Sequence, residues 1–564
     1  MQYPFNAFTQ GMPLPDIFSY GQLFAFSGLA GKNLHEQDWC GVLTEVPGEI
    51  LFSSGRDCPC RTLLRFTENE LIYDAVLSDL IAAQEGKVLV TFADAETIVG
   101  RSDCVPSIRL ETEDCIPGDR TVQDGQYALS LCTAPLEDGR TAFAFCRRKN
   151  AETARQAARE SLGADVDTLA KAVMDWYGDC ILCPDMRYAK LWYKCMSVNR
   201  VNVFSPQEGF DRFFTTPDRL PHRDIWVWDS SFHALAMVHY APAIAEDAIL
   251  CVLDCQREDG FIPHRIKSRT ETSDITHPPV LCAAVWNIYE VTGDLSLLER
   301  TVEKLRKYLQ WDLDNRRSPS GLMTWATRND DANCRCDESG MNNSPRFDTA
   351  EPLEAVDFSV FMSYEMLCMR RIYIELGDQL NAMYMEQMQK EMIERINARL
   401  WDQETGCYFD RTWDGEFRRI LTPVSFLPLF AFICDPRQAR RLVMHLQPLM
   451  ELPLPIPSAV DETGGAFTRD MWRGGVWLNY NYFVYLGLQR YGFGKLASDL
   501  RRKTLEGVFK QYCETGNIFE FYDPFGGNPM QLDRKGPKQN AQTHWHSITD
   551  FNWSACFIEL FLCS

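Results

Sequence analysis

The 564 residues carry 78 acidic side chains against 57 Lys and Arg, a formal charge of −21 with a pI near 5.0, and 45% of them are hydrophobic and 12% aromatic. This charge excludes the usual design of a nucleic-acid or anionic-membrane binder, which rewards clusters of Lys and Arg, and it suits a neutral small-molecule ligand. The composition excludes disorder for most of the chain, and the length predicts a small β unit beside a large helical domain.

The chain opens MQYPFNAFTQGMPLPD, without the basic and apolar regions of a secretory signal. No run of about 18 apolar residues is present to span a bilayer, so a cytoplasmic protein is expected. The 21 cysteines are odd in number and scattered, as reduced and buried thiols would be. Cys58/Cys60, Cys180/Cys183 and Cys334/Cys336 resemble halves of a zinc pattern, but only the second pair has CxxC spacing and no His completes it. No metal site is predicted.

Up to about residue 150, short alternating runs such as KVLVTFADAETIVG and TAFAFCRR are broken by Gly, Pro, Asp and Asn, and predict an N-terminal β-sandwich accessory domain over 1–155. From AETARQAARESLGADVDTLAKAVMDWYG the period becomes helical. Tyr188, Leu191, Trp192, Cys195 and Met196 form one core stripe, and Leu281, Ala284, Val285 and Ile288 another. Three helices stop at Gly293, Gly377 and Gly492, each before a further amphipathic run, which reads as repeated αα-hairpins. Roughly a dozen helical segments joined by long loops predict a mainly α catalytic domain over 156–564, an (α/α)6 barrel being the simplest closed arrangement.

Polar and aromatic residues crowd the loops. HRDIWVWDSSFHA holds Trp226, Trp228 and Asp229, and a carboxyl flanked by indoles is a candidate proton donor because desolvation favours its neutral form. An Asp before an apolar helical run is equally the usual helix cap. EDGFIPHRI supplies His264 and Arg265, and ESGMNNSPRFD supplies Glu338, Asn343, Arg346 and Asp348. Trp472, Arg473 and Trp477 in DMWRGGVWLNYNYF, with Trp545 and Trp553 in THWHSITDFNWSA, are candidate sugar platforms, although each Trp is as readily core. Glu520 lies between Phe519 and Phe521 in NIFEFYDPFGG, a segment too rich in Gly and Pro for a helix. Paired with Asp229 it becomes a base that activates water, and alone it is an exposed strand residue.

Eight segments in order, WVWDSSFHA, EDGFIPHRI, THPPVLCAAVW, ESGMNNSPRFD, LWDQETGCYFD, MWRGGVWLNYNYFVYLGLQRYG, FEFYDP and FNWSA, resemble glycoside hydrolase family 63 and its relatives over most of residues 185–564. That family comprises inverting (α/α)6-barrel enzymes, among them processing α-glucosidases and mannosylglycerate hydrolases. The resemblance implies Asp229 as general acid and Glu520 as general base, and brings Glu338, Asn343 and Arg346 near substrate. One departure is Asn342, where relatives often have Asp. It removes a charge and leaves both carboxylates in place.

The implied reaction is a single displacement without metal, redox or organic cofactor. The expected substrate is a small α-glucoside. Glucosylglycerate or mannosylglycerate is the alternative, with Arg265 or Arg473 holding the glycerate carboxylate. From other classes, the chain is a carbohydrate-binding protein without catalysis, or a helical scaffold for protein partners. Neither nucleic acid nor a membrane is expected as a partner, and the oligomeric state is left open.

Overall fold

The computed structural model describes residues 22–35, 39–43, 49–53, 61–66, 73–83, 87–110, 116–207, 209–328, 331, 334–349, 351–460, 467–535 and 546–564. The chain divides into two compact units, one of Met1–Arg223 with Phe509–Ile518 and Thr549–Cys563, the other of Asp224–Val508 with Phe519–Ile548.

The first unit begins with two antiparallel sheets. Six strands lie in the order Leu23–Phe24, Cys40–Leu43, Glu49–Ser53, Arg61–Arg65, Ser107–Leu110, Ile116–Pro117. Seven more lie in the order Arg120–Asp124, Tyr127–Pro135, Thr141–Arg148, Thr97–Ser102, Val88–Asp94, Leu80–Ala83, Tyr73–Leu77. Alternate residues such as Leu129 and Leu131, Phe143 and Phe145, and Val88 and Val90 turn the same way and join Trp39, Ile50, Phe52 and Leu64 of the other sheet in one core. Trp39 and Phe52 each meet Phe145, with ring centroids 5.1 and 5.3 Å apart. The strand pattern ends at Arg148 and helix Ala151–Ser161 starts under an Asn150 cap, where the sequence changes period.

The same unit takes two helices that are buried along nearly their whole length, Ala189–Val201 and Asn552–Cys563. Charges inside it are paired: Lys194 with Asp550 at 2.9 Å and Arg200 with Asp79 at 2.8 Å. Asp550 also accepts from the backbone N–H of Leu23 at 2.7 Å.

The second unit is mainly α. Helices Val227–Met237, Leu281–Thr292, Val356–Glu375 and Leu478–Arg490 are buried over much of their surface, and each is followed by a helix with a more exposed face: Pro242–Leu253, Leu295–Asn315, Gln379–Arg399 and Gly494–Thr515, the last counted in the first unit from Phe509 on. The Gly-Asp dipeptides explain two of these hairpins. Gly293 and Gly377 adopt φ of 69° and 76°, the left-handed turn that ends a helix without a Cβ penalty, and Asp294 and Asp378 then cap the next one. Gly492, at φ 78°, ends the third predicted hairpin in the same way. Phe483 of Leu478–Arg490 meets Phe232 at 5.8 Å, Phe361 at 5.8 Å and Phe430 at 4.9 Å, so three other helices converge on one side chain.

Among the described residues no helix is long and apolar enough to cross a membrane, and no group of three or more His, Cys, Asp or Glu has a metal-binding arrangement. Most of the described cysteines are buried, and burial pushes the thiols of Cys195, Cys282 and Cys368 well above their usual range.

Candidate active site

Asp229 lies inside helix Val227–Met237, in its first turn. The residue before the helix is Trp226, with extended backbone and no side-chain cap, so Asp229 is not the cap that its place before an apolar run also allows. Trp226 is fixed by an antiparallel pairing with Arg265, and the N–H of Val227 donates to His264 O at 3.1 Å. The helix buries Asp229, Ser230, Ser231 and His233 together, polar side chains that a core helix does not need for packing. Asp229 itself is 4% exposed.

Glu520, also 4% exposed, lies in a bend outside any helix, as its Gly- and Pro-rich surroundings predict. Its N–H donates to Ile548 O at 2.8 Å, and Tyr522 exchanges hydrogen bonds with Val476 at 2.8 and 3.0 Å. Arg534, from the loop after the short helical turn Pro529–Gln531, clamps the carboxylate through Nε at 2.7 Å and Nη2 at 3.1 Å. This two-pronged pairing fixes the plane of the carboxylate.

A line of rings joins the surroundings of the two acids. Phe521, next to Glu520, stacks on Trp477 at 5.1 Å, and Trp477 stacks on Trp472 at 3.6 Å with the rings 5° from parallel. Trp472 meets Trp228, next to Asp229, at 6.5 Å. Trp228 then contacts His277 at 5.0 Å, and His277 contacts His264 at 5.2 Å. The strand-loop before Trp472 is wound tightly, with Arg469 and Met471 at φ of 63° and 46°, backbone values that non-glycine residues adopt at a cost. Gly340 sits against Trp228, and a Cβ there would lie 2.4 Å from the indole.

Comparison with known proteins decides the class of this site. Residues 221–554, more than half of the chain and including both carboxylates, match the model of the mannosylglycerate hydrolase MGH1-like glycoside hydrolase domain. The chain belongs to that family. It is therefore a glycoside hydrolase, and the resemblance to glycoside hydrolase family 63 is borne out. Among curated relatives, the mannosylglycerate hydrolase of Thermus thermophilus is 27% identical over 403 residues, covering 56% of this chain and 92% of the relative. Mannosylglycerate hydrolase MGH1 of Selaginella moellendorffii is 25% identical over 392 residues, covering 56% and 78%. The crystal structure of a GH63 mannosylglycerate hydrolase from Thermus thermophilus in complex with glucose superposes with a TM-score of 0.55 at 24% identity, over 66% of this chain and all of that one, a likeness of fold.

Several residues read from the sequence as substrate ligands have hydrogen-bond and ion-pair partners within this MGH1-like domain. Glu338 is buried and accepts from Arg316 Nε and Nη2 at 2.9 and 2.6 Å, Thr276 N at 3.2 Å and Ala326 N at 2.8 Å, tying three loops to one carboxylate. Nearby Asp312, which accepts from Thr276 Oγ1 at 3.4 Å, is pushed well above the usual carboxylate range by burial and by Glu338. Arg346 spends its guanidinium on Asp357, at 2.6 and 2.9 Å, and Asp410, at 2.6 and 3.0 Å. Asn343 accepts from Trp472 N at 3.1 Å and donates to Asp470 O at 3.2 Å, so it shapes the Trp472 loop. Arg473 is paired with both oxygens of Asp348, at 2.8 and 2.9 Å. Asn342 donates to Asp337.

Trp472 and Trp477 are buried, and the faces of Trp477 are taken by Trp472 and Phe521, so the pair builds a wall and not an open platform. His264 shares a hydrogen bond with Ser273 Oγ at 2.6 Å, and burial, helped by Arg265, pushes its imidazole down to about 3. His277 is pushed well down by burial and then by His264. Both rings are neutral at pH 7. Arg265 is half-buried and has Asp224 at 3.6 Å. Trp553 belongs to helix Asn552–Cys563 of the first unit, buried against Phe551 at 5.3 Å. Trp545 lies outside the described residues. Sequence reading did not single out Arg534, Asp357, Asp410 and His277: His277 and Asp410 lie within the quoted segments THPPVLCAAVW and LWDQETGCYFD, Arg534 and Asp357 in none of the eight, and their partners are distant along the chain.

Proposed function

We propose that this glycoside hydrolase cleaves a short α-glycoside with inversion, Asp229 protonating the glycosidic oxygen while Glu520 takes a proton from the attacking water. The observation that carries the reading is the pair of buried carboxylates in one unit, each beside an end of the Trp228–Trp472–Trp477–Phe521 line. Glu520, gripped by Arg534, presents its oxygens as acceptors, as a base requires. The two carboxyl groups then flank the anomeric carbon about 6.5 to 9.5 Å apart, leaving room for water. The alternation of buried and half-exposed helices, meeting at Phe483, supports an (α/α)6 barrel over 156–564, and the two sheets support an accessory β-sandwich at 1–155.

The relatives' names favour mannosylglycerate over a simple α-glucoside as substrate, with glucosylglycerate as its close analogue. Arg265 suits a glycerate carboxylate better than Arg473, because Arg473 is already spent on Asp348 and Arg265 has only a 3.6 Å pairing with Asp224. We place this activity in the cytoplasm, on a small imported or stored sugar, without a cofactor.

A panel of mannosylglycerate, glucosylglycerate and short α-glucosides, followed by proton NMR in the first minutes, tests the proposal. The expected first product is the β-anomer, and Asp229→Asn and Glu520→Gln lose several orders of magnitude in turnover while the fold persists. Accumulation of the α-anomer first refutes inversion. Retention of both carboxylates argues against the other reading, a sugar-binding protein without catalysis, which absence of sugar release across the panel would select. A gain of orders of magnitude on Asn342→Asp would move the proton donor from Asp229 to that loop.

A further inference from the structure

The second unit carries a cavity of about 490 Å³ whose walls include Glu351, Trp413, Asp414, Glu416, Phe417 and Arg418 and neither Asp229 nor Glu520. Its size falls within the range of small-molecule sites, about 300–1,000 Å³. Most of its wall is a hairpin, Asp410–Thr412 paired with Phe417–Arg418. The turn is fixed: Thr412 N donates to Glu416 O at 2.9 Å, Gly415 N to Thr412 O at 3.0 Å, and Arg411 Nε to Gly415 O at 2.7 Å. On this rigid turn Trp413 is 46% exposed, an indole held in water where neither packing nor hydrogen bonding asks for it.

We propose that this cavity is a second saccharide-binding site, distinct from Asp229 and Glu520, that takes an uncharged pyranoside. The apolar face of a pyranose stacks on Trp413, and its hydroxyls donate to Asp414 and Glu416. Phe417 is steadied by the guanidinium groups of Arg411 and Arg419, 5.0 and 5.9 Å from its ring. Arg418 donates to Thr349 Oγ1 at 2.7 Å and to Glu351, which holds the opposite wall in place. Among the lining residues three carboxylates, Glu351, Asp414 and Glu416, stand against one guanidinium, Arg418, which is already paired with Glu351, so the wall suits a neutral polyol better than an anion. The proposal stands on this cavity alone and does not require the roles assigned to Asp229 and Glu520.

Fluorine NMR of the full chain labelled with 5-fluorotryptophan tests it, the Trp413 signal being assigned by its loss in Trp413→Phe. On titration with D-glucose and with maltose to about 50 mM, well above a millimolar dissociation constant, that signal is expected to shift and saturate. Glu416→Gln is expected to weaken the binding severalfold, and Glu520→Gln to leave it unchanged. A signal that does not move, or one that follows glycerol as closely as it follows the sugars, overturns the proposal. So does a response abolished by Glu520→Gln, which would make the cavity an extension of the catalytic site.

Discussion

Arg346→Met separates a structural arginine from a substrate ligand. Arg346, Asp357 and Asp410 are each no more than 2% exposed, and the guanidinium makes four hydrogen bonds of 2.6 to 3.0 Å to the two carboxylates. Methionine fills much of the space but leaves both acids without their cation. They keep other donors, Val356 N at 2.9 Å on Asp410, and Trp325 Nε1 at 3.0 Å and Phe358 N at 2.9 Å on Asp357, so the loss is partial. Breaking a buried pair by removing one partner costs about 3–5 kcal/mol. A chain of two units need not unfold in one step, so the fitting assay is hydrogen exchange over residues 353–361. At about 1.4 kcal/mol per factor of ten, exchange there accelerates by roughly 10²- to 10^3.5-fold. Arg346→Lys, which keeps a charge without the fork, lies between. Unchanged exchange together with a large rise in KM would refute the structural assignment and return Arg346 to the substrate.

Gly340→Ala forces a Cβ to 2.4 Å from the Trp228 indole at φ 71°, whereas Gly377→Ala, at φ 76°, meets open space. Both strain the backbone by about 1–2 kcal/mol and Gly340→Ala adds the clash, so a larger melting shift for Gly340→Ala and a loss of kcat confined to it are expected, and equal kcat values would refute the coupling of Gly340 to the site. Glu365 is buried and accepts from Cys282 N and Ala283 N at 2.7 and 2.8 Å, and burial lifts its carboxyl to about 7. The folded state therefore holds that proton more tightly than the unfolded one, and the associated stability, complete below about 4.5, is lost as pH rises to about 7. Neutral His264 contributes in the opposite sense as pH falls below about 6.5, so the measurement is the difference between wild type and Glu365→Gln, whose melting temperature should fall less from pH 5 to 7.5. Asn342→Asp sets a second carboxyl against Asp337, and is expected to change the ranking of substrates more than the best turnover, with equal effects on every sugar counting against it.

The places where sequence and structure agree are those where one residue type answers one local demand. Gly293, Gly377 and Gly492 end helices because the left-handed turn excludes most other residues, and the change of period near residue 150 coincides with the last strand of the sheets. The family could be read from eight motifs in order; Asp229 and Glu520 stand out as acids among aromatic neighbours, and their roles come from the resemblance alone. Side-chain direction could not be read. Trp472 and Trp477 have the same composition signal whether they stack on a sugar or on each other, and here they stack on each other. Arg346 and Glu338 lie in the expected loop, yet their partners, Asp357 and Asp410 for one and Arg316, Thr276 and Ala326 for the other, come from other segments that no local pattern links to them. Arg534 is one basic residue in an irregular loop until Glu520 is set against it.

The division of the chain has a consequence for synthesis. The first unit is left incomplete by residues up to Arg223 and takes back Thr549–Cys563 only after the whole second unit has been made. At about 5–20 residues per second the ribosome needs roughly a quarter of a minute to a minute for the intervening stretch. Throughout that interval Lys194 has no Asp550 to receive its charge, the N–H of Leu23 lacks its acceptor, and Asn199 lacks Glu559. The nascent sheets can form early, but helix Ala189–Val201 must wait, with Trp192 and Cys195 among its apolar side chains. That segment is where a chaperone would be needed, and where a stalled or truncated chain would aggregate first.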